Sequence, residues 1–335
     1  MAVSAQTELA IEADGLAKSY GKTRALRGID LAIRRGSVYG ILGPNGAGKT
    51  TTIRILTTLI KPTGGSARVL GHDVVREAAD VRSKICLTGQ HASLDEDLTG
   101  QENLVLIARL FGLGWRSARA RAAELLAAFD LEEFARRLVR TYSGGLRRRL
   151  DIAAGLILIP EIVFLDEPTT GLDPRSRNQV WDIVRTIAAE GTTVLLTTQY
   201  MEEADRLADR LAVIDHGRLI ADGTSSELKA SVGANSVRVR LFDLSDRDRA
   251  EQILREQVQL EVHAGSDAFS LVAALDRENQ ITQAFHSLTG NGLRIADFSV
   301  GQPTMDEVFF ALTGHPAIDE PEPGHPDGAI KEPGS

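Results

Sequence analysis

The sequence predicts an α/β domain with a mostly parallel sheet covered by helices, a helical insertion within it, and a smaller α+β domain after it. Short apolar runs typical of buried strands alternate with segments of helical period through the first part of the chain. Residues 98–158 are instead rich in alanine, leucine and arginine and have no clear strand pattern. The texture changes near residues 224–235, where we place a domain boundary. Alternating strands and helices imply a mostly parallel sheet.

The elements of the first domain follow from local patterns. Strands are predicted at 38–42, 162–165 and 193–197, and helices at 49–59 and after Asp173-Pro174, where aspartate suits the N-cap and proline the first helical position. The insertion adds predicted helices at 102–111, 117–129 and 145–158. We therefore expect the first domain to span residues 8–230, with its helical subdomain at about 95–158.

The second domain is predicted at residues 235–313. Strands at 236–242, 258–263, 269–274 and 293–300 and helices at 247–256 and 280–288 give the order β-α-β-β-α-β, which is that of a ferredoxin-like module. A capping box at Thr304 to Glu307 then starts a last helix, on which Met305, Val308 and Phe309 share one face with Leu312. That face either packs on its own domain or has a regulatory or partner-binding role.

Composition excludes several classes of protein. With 335 residues, 43% hydrophobic and 25% charged, the chain is globular, and its single cysteine, Cys86, cannot form an internal disulfide. No apolar run reaches the ~20 residues of a membrane span, so a role at a membrane requires a partner. Half of the net charge of −8 lies in residues 315–335, which we predict to be a disordered tail. The rest of the chain is close to neutral, which argues against a protein whose main role is to bind nucleic acid.

A glycine-rich loop lies between a predicted strand and a predicted helix. Gly43-Pro44-Asn45-Gly46-Ala47-Gly48-Lys49-Thr50 fits the pattern G-x-x-x-x-G-K-[ST]. Its glycines let backbone N–H groups surround phosphate oxygens, and the helix presents its positive end to the same anion. Lys49 can reach the β- and γ-phosphates, and the Thr50 hydroxyl can ligate Mg²⁺. A chance glycine-rich turn is the alternative, and the matching context disfavours it.

Two acids end the apolar strand at 162–165. If this strand lies beside the phosphate loop, Asp166 is near Mg²⁺ through a bound water, and Glu167 points at the γ-phosphate, where it can polarise an attacking water. Such a pair alone would usually mean a solvated strand end. Together with the loop it indicates nucleotide hydrolysis.

A second candidate anion site precedes this strand. Ser143-Gly144-Gly145 opens a predicted helix, so a serine cap and two bare glycine backbones lie at a helix N-terminus. Two phosphate-binding ends but one lysine loop suggest a head-to-tail dimer, in which the Ser143 helix of each chain faces the γ-phosphate of the other. For the tripeptide alone, an ordinary serine N-cap is the simpler interpretation.

These motifs, in this order, resemble the ATP-binding subunit of ABC transporters over residues 9–229. The resemblance implies a P-loop NTPase fold, ATP and Mg²⁺ as cofactors, a homodimer through the ATP sites, and a separate membrane permease that holds the protein at the cytoplasmic face of the membrane. It implies metal ligation by Thr50, Gln90 and Asp166 and catalysis by Glu167, Gln199 and Lys49. It places nucleotide contacts at Tyr20 (adenine), at 43–50 and Thr51, at Gln90, at Ser143, Gly144 and Gly145 of the partner chain, and at Asp166 and Asp173.

Two positions depart from the family pattern. Leu146 stands where the signature usually ends in glutamine, and Gln199 stands where most members carry a histidine that contacts the γ-phosphate. A glutamine amide can donate a hydrogen bond but cannot become cationic near neutral pH. This favours Glu167 as the base and leaves the rate of hydrolysis open.

The second half of the chain narrows the resemblance. Gln199, residues 200–205 and residues 305–315 resemble the daunorubicin/doxorubicin-resistance branch of drug-exporting ABC ATPases. The resemblance implies export of a hydrophobic drug or antibiotic through a small, separate permease, with the C-terminal domain supporting that pairing. The ATP site itself has the same parts in importers and does not identify the compound.

The sequence disfavours two other functions. A soluble ABC-type ATPase acting on ribosomes or DNA is disfavoured, because the chain has one cassette and no sustained heptad run. A P-loop kinase or GTPase has no reason to carry the Ser143 signature. Three arginines at 147–149 fan across about 200° of a helix, so we predict a solvated or phosphate-adjacent face and no nucleic-acid partner.

Overall fold

The computed structural model describes residues 9–89, 94–232, 235–265, 267–275, 277 and 279–314. The strands of the first domain are β1 (Leu9–Tyr20), β2 (Thr23–Arg34), β3 (Val38–Leu42), β4 (Gly64–Val69), β5 (His72–Asp73), β6 (Ile85–Thr88), β7 (Ile162–Asp166), β8 (Thr193–Thr198), β9 (Arg210–Asp215) and β10 (Arg218–Gly223). Its helices are α1 (Lys49–Leu56), α2 (Ala78–Arg82), α3 (Gly100–Leu110), α4 (Trp115–Ala128), α5 (Gly144–Gly155), α6 (Pro174–Ala189), α7 (Met201–Leu207) and α8 (Ser225–Val232).

A six-stranded sheet forms the centre of this domain, in the order β10-β9-β3-β8-β7-β6. All neighbours are parallel except β9 and β10. Every residue of β3, β7 and β8 is buried, as expected for strands covered on both faces. The strand of Asp166 is not the direct neighbour of the phosphate-loop strand, because β8 lies between them, but Asp166 does reach Thr50 of the phosphate loop as expected. The three carboxyl ends still meet at one edge of the sheet.

A second, antiparallel sheet was not predicted. It has the order β2-β1-β4-β5 and packs its apolar face against the central sheet and α1. In β2 the buried residues Ile29, Leu31 and Ile33 alternate with exposed polar or small residues, which is the pattern of a strand with one solvent-exposed face. The signal was therefore present in the sequence, but frequent charges and glycines interrupt it.

The helical insertion consists of α3, α4 and α5, each within a few residues of its predicted span. A complete capping box at Thr99 and Glu102 starts α3, and the Ser143 side chain caps α5. Helix α1 ends at Leu56, three residues before its predicted end, where Thr58 takes a left-handed conformation (φ 66°). The inner faces of α3, α4 and α5 share one hydrophobic core with β7, β8 and α6.

The C-terminal module has the predicted order of elements. These are β11 (Asn235–Leu241), α9 (Arg247–Gln257), β12 (Val262–Ala264), β13 (Ser270–Leu275), α10 (Asn279–Gly290), β14 (Ile295–Gly301) and α11 (Met305–Thr313). The four strands form an antiparallel sheet in the order β12-β13-β11-β14. Strand β12 is shorter than predicted, because Val258 caps α9 and Gln259 has a positive φ of 59°.

Helix α11 leaves this sheet and packs on the first domain. Met305, Val308 and Phe309 are buried in one cluster with Leu42 at the end of β3 and Met201 at the start of α7. An ion pair of 2.7 Å between Arg238 and Glu307 ties the start of α11 to β11. The apolar face therefore does not pack on its own module; it completes the core beneath the phosphate loop.

Two expectations concern the ends of the chain and the membrane. The predicted tail at 315–335 lies outside the described residues. Among the residues that are described, no helix combines the length and apolar character that a membrane span requires.

Candidate functional site

The phosphate loop has a backbone that only glycine permits at two positions. A Cβ on Gly43 would lie 2.2 Å from the Ile214 carbonyl oxygen. Gly48 has φ 112°, and a Cβ there would lie 2.6 Å from the Leu26 side chain. Helix α1 therefore starts without a side-chain cap, which leaves its first N–H groups to an external acceptor. This cradle of backbone donors fits a phosphate group.

Lys49 is 4% exposed and lies at the base of this loop. Its ammonium donates to the carbonyl oxygens of Gly43 (2.8 Å) and Pro44 (3.1 Å) and lies 3.2 Å from the Glu167 carboxylate. Burial lowers the pKa of Lys49, and the carboxylates of Glu167 and Asp166 oppose that shift. The loop, Ala25 and Glu167 together line a depression of about 210 Å³.

The Asp166 carboxylate is held by hydroxyl groups from two elements. Thr50 at the start of α1 donates to its Oδ1 at 3.1 Å, and Thr197 at the end of β8 donates to the same oxygen at 2.6 Å. Asp166 itself is buried. Sequence reasoning missed Thr197, although a threonine at the carboxyl end of an apolar strand was the available signal. A buried carboxylate beside a hydroxyl offers the hard oxygen ligands that Mg²⁺ prefers.

Glu167 begins a sharp turn after β7. Its φ of 48° is unusual for a residue with a side chain. The backbone N–H donates to the Thr197 carbonyl (3.2 Å) and hydroxyl (3.1 Å), and the Thr170 hydroxyl lies 3.4 Å from the carboxylate. The surrounding bonds thus hold the carboxylate over the phosphate loop despite the backbone strain.

The signature helix and the Asp173 loop meet each other but do not line the depression. Ser143 caps α5 by accepting from the Leu146 N–H at 3.3 Å. Asp173 caps α6 by accepting from the N–H (3.2 Å) and hydroxyl (2.6 Å) of Ser176, which lower the pKa of its carboxyl. A Cβ on Gly145 would lie 2.2 Å from the Ser176 hydroxyl, so glycine permits this close approach.

The remaining predicted residues lie at the periphery. Tyr20, at the end of β1, is 47% exposed, and the Lys18 ammonium lies 5.3 Å from its ring centre. It does not line the depression. Gln199 is half-buried and follows β8, so it shares the edge of the sheet with Asp166. Gln90 lies outside the described residues.

The predicted solvated or phosphate-adjacent face for the three arginines of α5 is wrong for two of them. Arg149 is buried and donates to the Phe129 carbonyl oxygen at 2.9 Å. The Arg148 side chain is 10% exposed and lies against the turn that carries Glu167. Only Arg147 pairs at the surface, with Glu96. Helix geometry correctly predicted that the three arginine side chains point in different directions, but it did not predict which of them are buried.

Comparison with known proteins identifies the family. A family model described as "ABC transporter" matches residues 26–170, and one described as "ATP-binding protein DrrA1-3-like, C-terminal domain" matches residues 223–313. The Daunorubicin/doxorubicin resistance ATP-binding protein DrrA of Streptomyces peucetius is 57% identical over 95% of this chain and 96% of that protein. This chain belongs to the ABC transporter ATP-binding family.

A second relative and a solved structure support the same family assignment. The Doxorubicin resistance ATP-binding protein DrrA of Mycobacterium tuberculosis is 45% identical over 92% of this chain and 95% of that protein. A solved ATP-binding cassette, in a dimeric post-hydrolysis state bound to ADP and Pi, has a TM-score of 0.58 and 27% identity, covering 64% of this chain and 98% of its own. The predicted P-loop ATPase fold and family are thereby confirmed.

Proposed function

We propose that this protein binds and hydrolyses ATP to power export of a hydrophobic drug or antibiotic through a separate membrane permease. One observation carries the catalytic part of the proposal: the fold brings Lys49, Asp166 and Glu167 together around a loop of free backbone donors. Resistance proteins for daunorubicin and doxorubicin among the relatives support the exporter assignment. Partnership with a permease would hold the protein at the cytoplasmic face of the membrane.

The loop and Lys49 bind the triphosphate. Backbone N–H groups of Asn45, Gly46 and Gly48 and at the start of α1 donate to the phosphate oxygens, with the hydroxyls of Thr50 and Thr51 beside them. Lys49 exchanges its contact with Glu167 for the β- and γ-phosphates. This exchange has a driving force, because a buried ammonium gains more from a multiply charged phosphate than from one carboxylate.

Thr50 and Asp166 fit a magnesium ion, with Gln90 as a further ligand. Mg²⁺ bound there would neutralise charge on the β- and γ-phosphate oxygens. The chain contributes the carboxylate, and the Thr197 hydroxyl keeps that carboxylate oriented.

Glu167 acts as the general base. Once Lys49 moves to the phosphates, the carboxylate is free to accept a proton from the attacking water. Gln199 at the neighbouring strand end donates a hydrogen bond to the γ-phosphate but does not transfer a proton. Glu167 is then the sole proton acceptor among the assigned residues.

A second copy of the chain completes the site. Ser143 and Gly144 are exposed, and neither they nor Gly145 line the depression of their own chain, so we assign all three to the γ-phosphate of the partner. Asp173 lies beside this end and belongs to the same dimer interface. Tyr20, exposed at the end of β1, is assigned to the adenine.

Drug-stimulated ATP hydrolysis tests the assignment as a whole. The protein is reconstituted with its permease in proteoliposomes, and ATP hydrolysis and uptake of daunorubicin into inverted vesicles are measured for wild type and Glu167→Gln. We expect ATP-dependent uptake in wild type and none in the variant. Hydrolysis without uptake of any hydrophobic drug would overturn the exporter assignment, and wild-type hydrolysis by Glu167→Gln would overturn the catalytic one.

A further inference from the structure

Arg148 stands out among the charged residues of the first domain, because its guanidinium is covered but none of the motifs explains it. It lies on α5, five residues and about 8 Å of helix after Ser143. Its side chain is 10% exposed, and its nearest acid, Asp151 at 3.5 Å, is 6% exposed. Placing two charges under cover is costly unless their hydrogen bonds are supplied.

Three backbone carbonyls from two other segments supply those bonds. Nε donates to the Pro168 oxygen at 3.0 Å, and Nη2 lies 3.4 Å from the Asp166 oxygen. Nη1 donates to the Gly89 oxygen at 2.6 Å. Asp166 and Pro168 flank Glu167, and Gly89 directly follows β6. The Arg148 side chain thus connects the signature helix to the turn that carries Glu167 and to the end of β6.

The chemistry of the contact requires arginine. A planar guanidinium offers five donors in a fixed fork and can hold three carbonyls at once, whereas a lysine ammonium is a compact point donor on a flexible stem. Both carbonyls flanking Glu167 are fixed from one side by this fork. The Glu167 N–H is fixed from the other side by Thr197, so the strained turn is held at both faces.

We infer that Arg148 is a positioning residue for Glu167. Through Arg148, the orientation of the signature helix is coupled to the orientation of Glu167, the hydrolysis base of the same chain. The inference rests on the proposed function. It implies that each α5 serves two sites: its Ser143 end contacts nucleotide held by the partner, while its Arg148 aligns the base of its own chain. Binding at one site then affects alignment at the other through a single rigid helix.

The test compares Arg148→Gln and Arg148→Lys in the full chain by steady-state ATP hydrolysis. We expect Arg148→Gln to lower kcat about 10–100-fold while KM for ATP changes less than about threefold, because the phosphate loop is untouched. Arg148→Lys should recover part of the loss. A fall in kcat/KM caused by KM alone, or no loss of kcat, would overturn the inference.

A double-mutant comparison separates positioning from general damage. In a Glu167→Gln background, Arg148→Gln should change the residual single-turnover rate less than about twofold, because there is no base left to align. An equal fold-loss in both backgrounds would show that Arg148 does not act through Glu167, although Glu167 itself would stay the base.

Arg149→Gln is the matched control for loss of a buried guanidinium. Arg149 lies on the same helix as Arg148, and its substitution removes a bond to the Phe129 carbonyl oxygen at the end of α4 but touches nothing at the Glu167 turn. The melting temperature of Arg149→Gln should fall, because a buried hydrogen bond is lost, while its kcat stays within about threefold of wild type. If kcat of both variants falls in proportion to melting temperature, Arg148 has only a structural role.

Discussion

The two helix N-termini that we assign to phosphate are built differently. Helix α1 starts at Gly48 with no side-chain cap and has a lysine, a buried aspartate and a glutamate around it. Helix α5 starts at a serine that caps its own N–H group, and its arginines are either covered, as Arg148 and Arg149 are, or paired with Glu96, as Arg147 is. The first end gathers a cation, two carboxylates and backbone donors within one chain, whereas the second offers mainly its helix dipole and a hydroxyl. This difference is what a shared, two-chain site requires.

The largest expected effect removes the base from the α1 end. Glu167→Gln should lower kcat about 1,000-fold and leave ATP affinity nearly unchanged, because proton acceptance is lost but the phosphate cradle is kept. Single-turnover hydrolysis and equilibrium nucleotide binding measure the two quantities. Glu190→Gln, an exposed change at the end of α6, is the control and should be silent. Retained turnover in Glu167→Gln would refute the assignment.

Removing the cation of the α1 end should weaken binding itself. Lys49→Ala removes the buried ammonium and leaves Glu167 without its ion pair, so ATP affinity should fall about 10–100-fold. Isothermal titration with a non-hydrolysable ATP analogue checks this. Lys18→Ala, whose ammonium lies over the Tyr20 ring, is the matched lysine control and should cost far less. Equal losses would mean that the adenine side dominates affinity.

The α5 end should matter only in the dimer. Ser143→Ala should leave nucleotide binding by a single chain unchanged but lower kcat about tenfold, since it removes a group that acts on the nucleotide of the partner. Thr99→Ala removes a comparable cap from α3, at a cost in stability of about 1 kcal/mol, and should not change kcat. If both cap variants lose activity equally, Ser143 is an ordinary cap.

The smallest effect concerns the Asp173 cap beside the α5 end. Its carboxyl pKa is lowered in the folded protein, so its stabilising effect is complete above the unfolded pKa and is lost as pH falls through the folded pKa. Asp173→Asn should lower the melting temperature by about 1–2 °C at pH 6, and the gap to wild type should narrow towards pH 3. Thermal unfolding at several pH values measures it. A gap independent of pH would show that Asp173 acts without its charge.

The parts of the site predicted from sequence are those encoded in contiguous residues. Gly43 to Thr50 forms a loop whose shape follows from glycine positions, and Asp166-Glu167 ends a strand visible as an apolar run. Thr197 was missed because its contact with Asp166 depends on strand order, which places β8 between β3 and β7. Arg148 was misjudged because helical period gives a direction but not what covers it.

The fold was predictable to a similar extent. The C-terminal strand and helix order followed from alternation and helical period, and its sheet has the expected connectivity. The antiparallel sheet of β1 and β2 was missed, since irregularities in the pairing of the two strands interrupt the alternation along β1. The docking of α11 was open to two interpretations, because an amphipathic face shows that a helix is covered but not by which neighbour.

The placement of α11 has a consequence for biosynthesis. Phe309 and its neighbours fill the space under Leu42, although more than 250 residues separate them in the chain. The nucleotide-binding half is therefore discontinuous along the polypeptide: its last piece leaves the ribosome only after the C-terminal sheet has been translated. A nascent chain that stops short of Met305 would expose the apolar bed of α7 and α8, so premature termination should yield aggregation-prone fragments and not a smaller working ATPase.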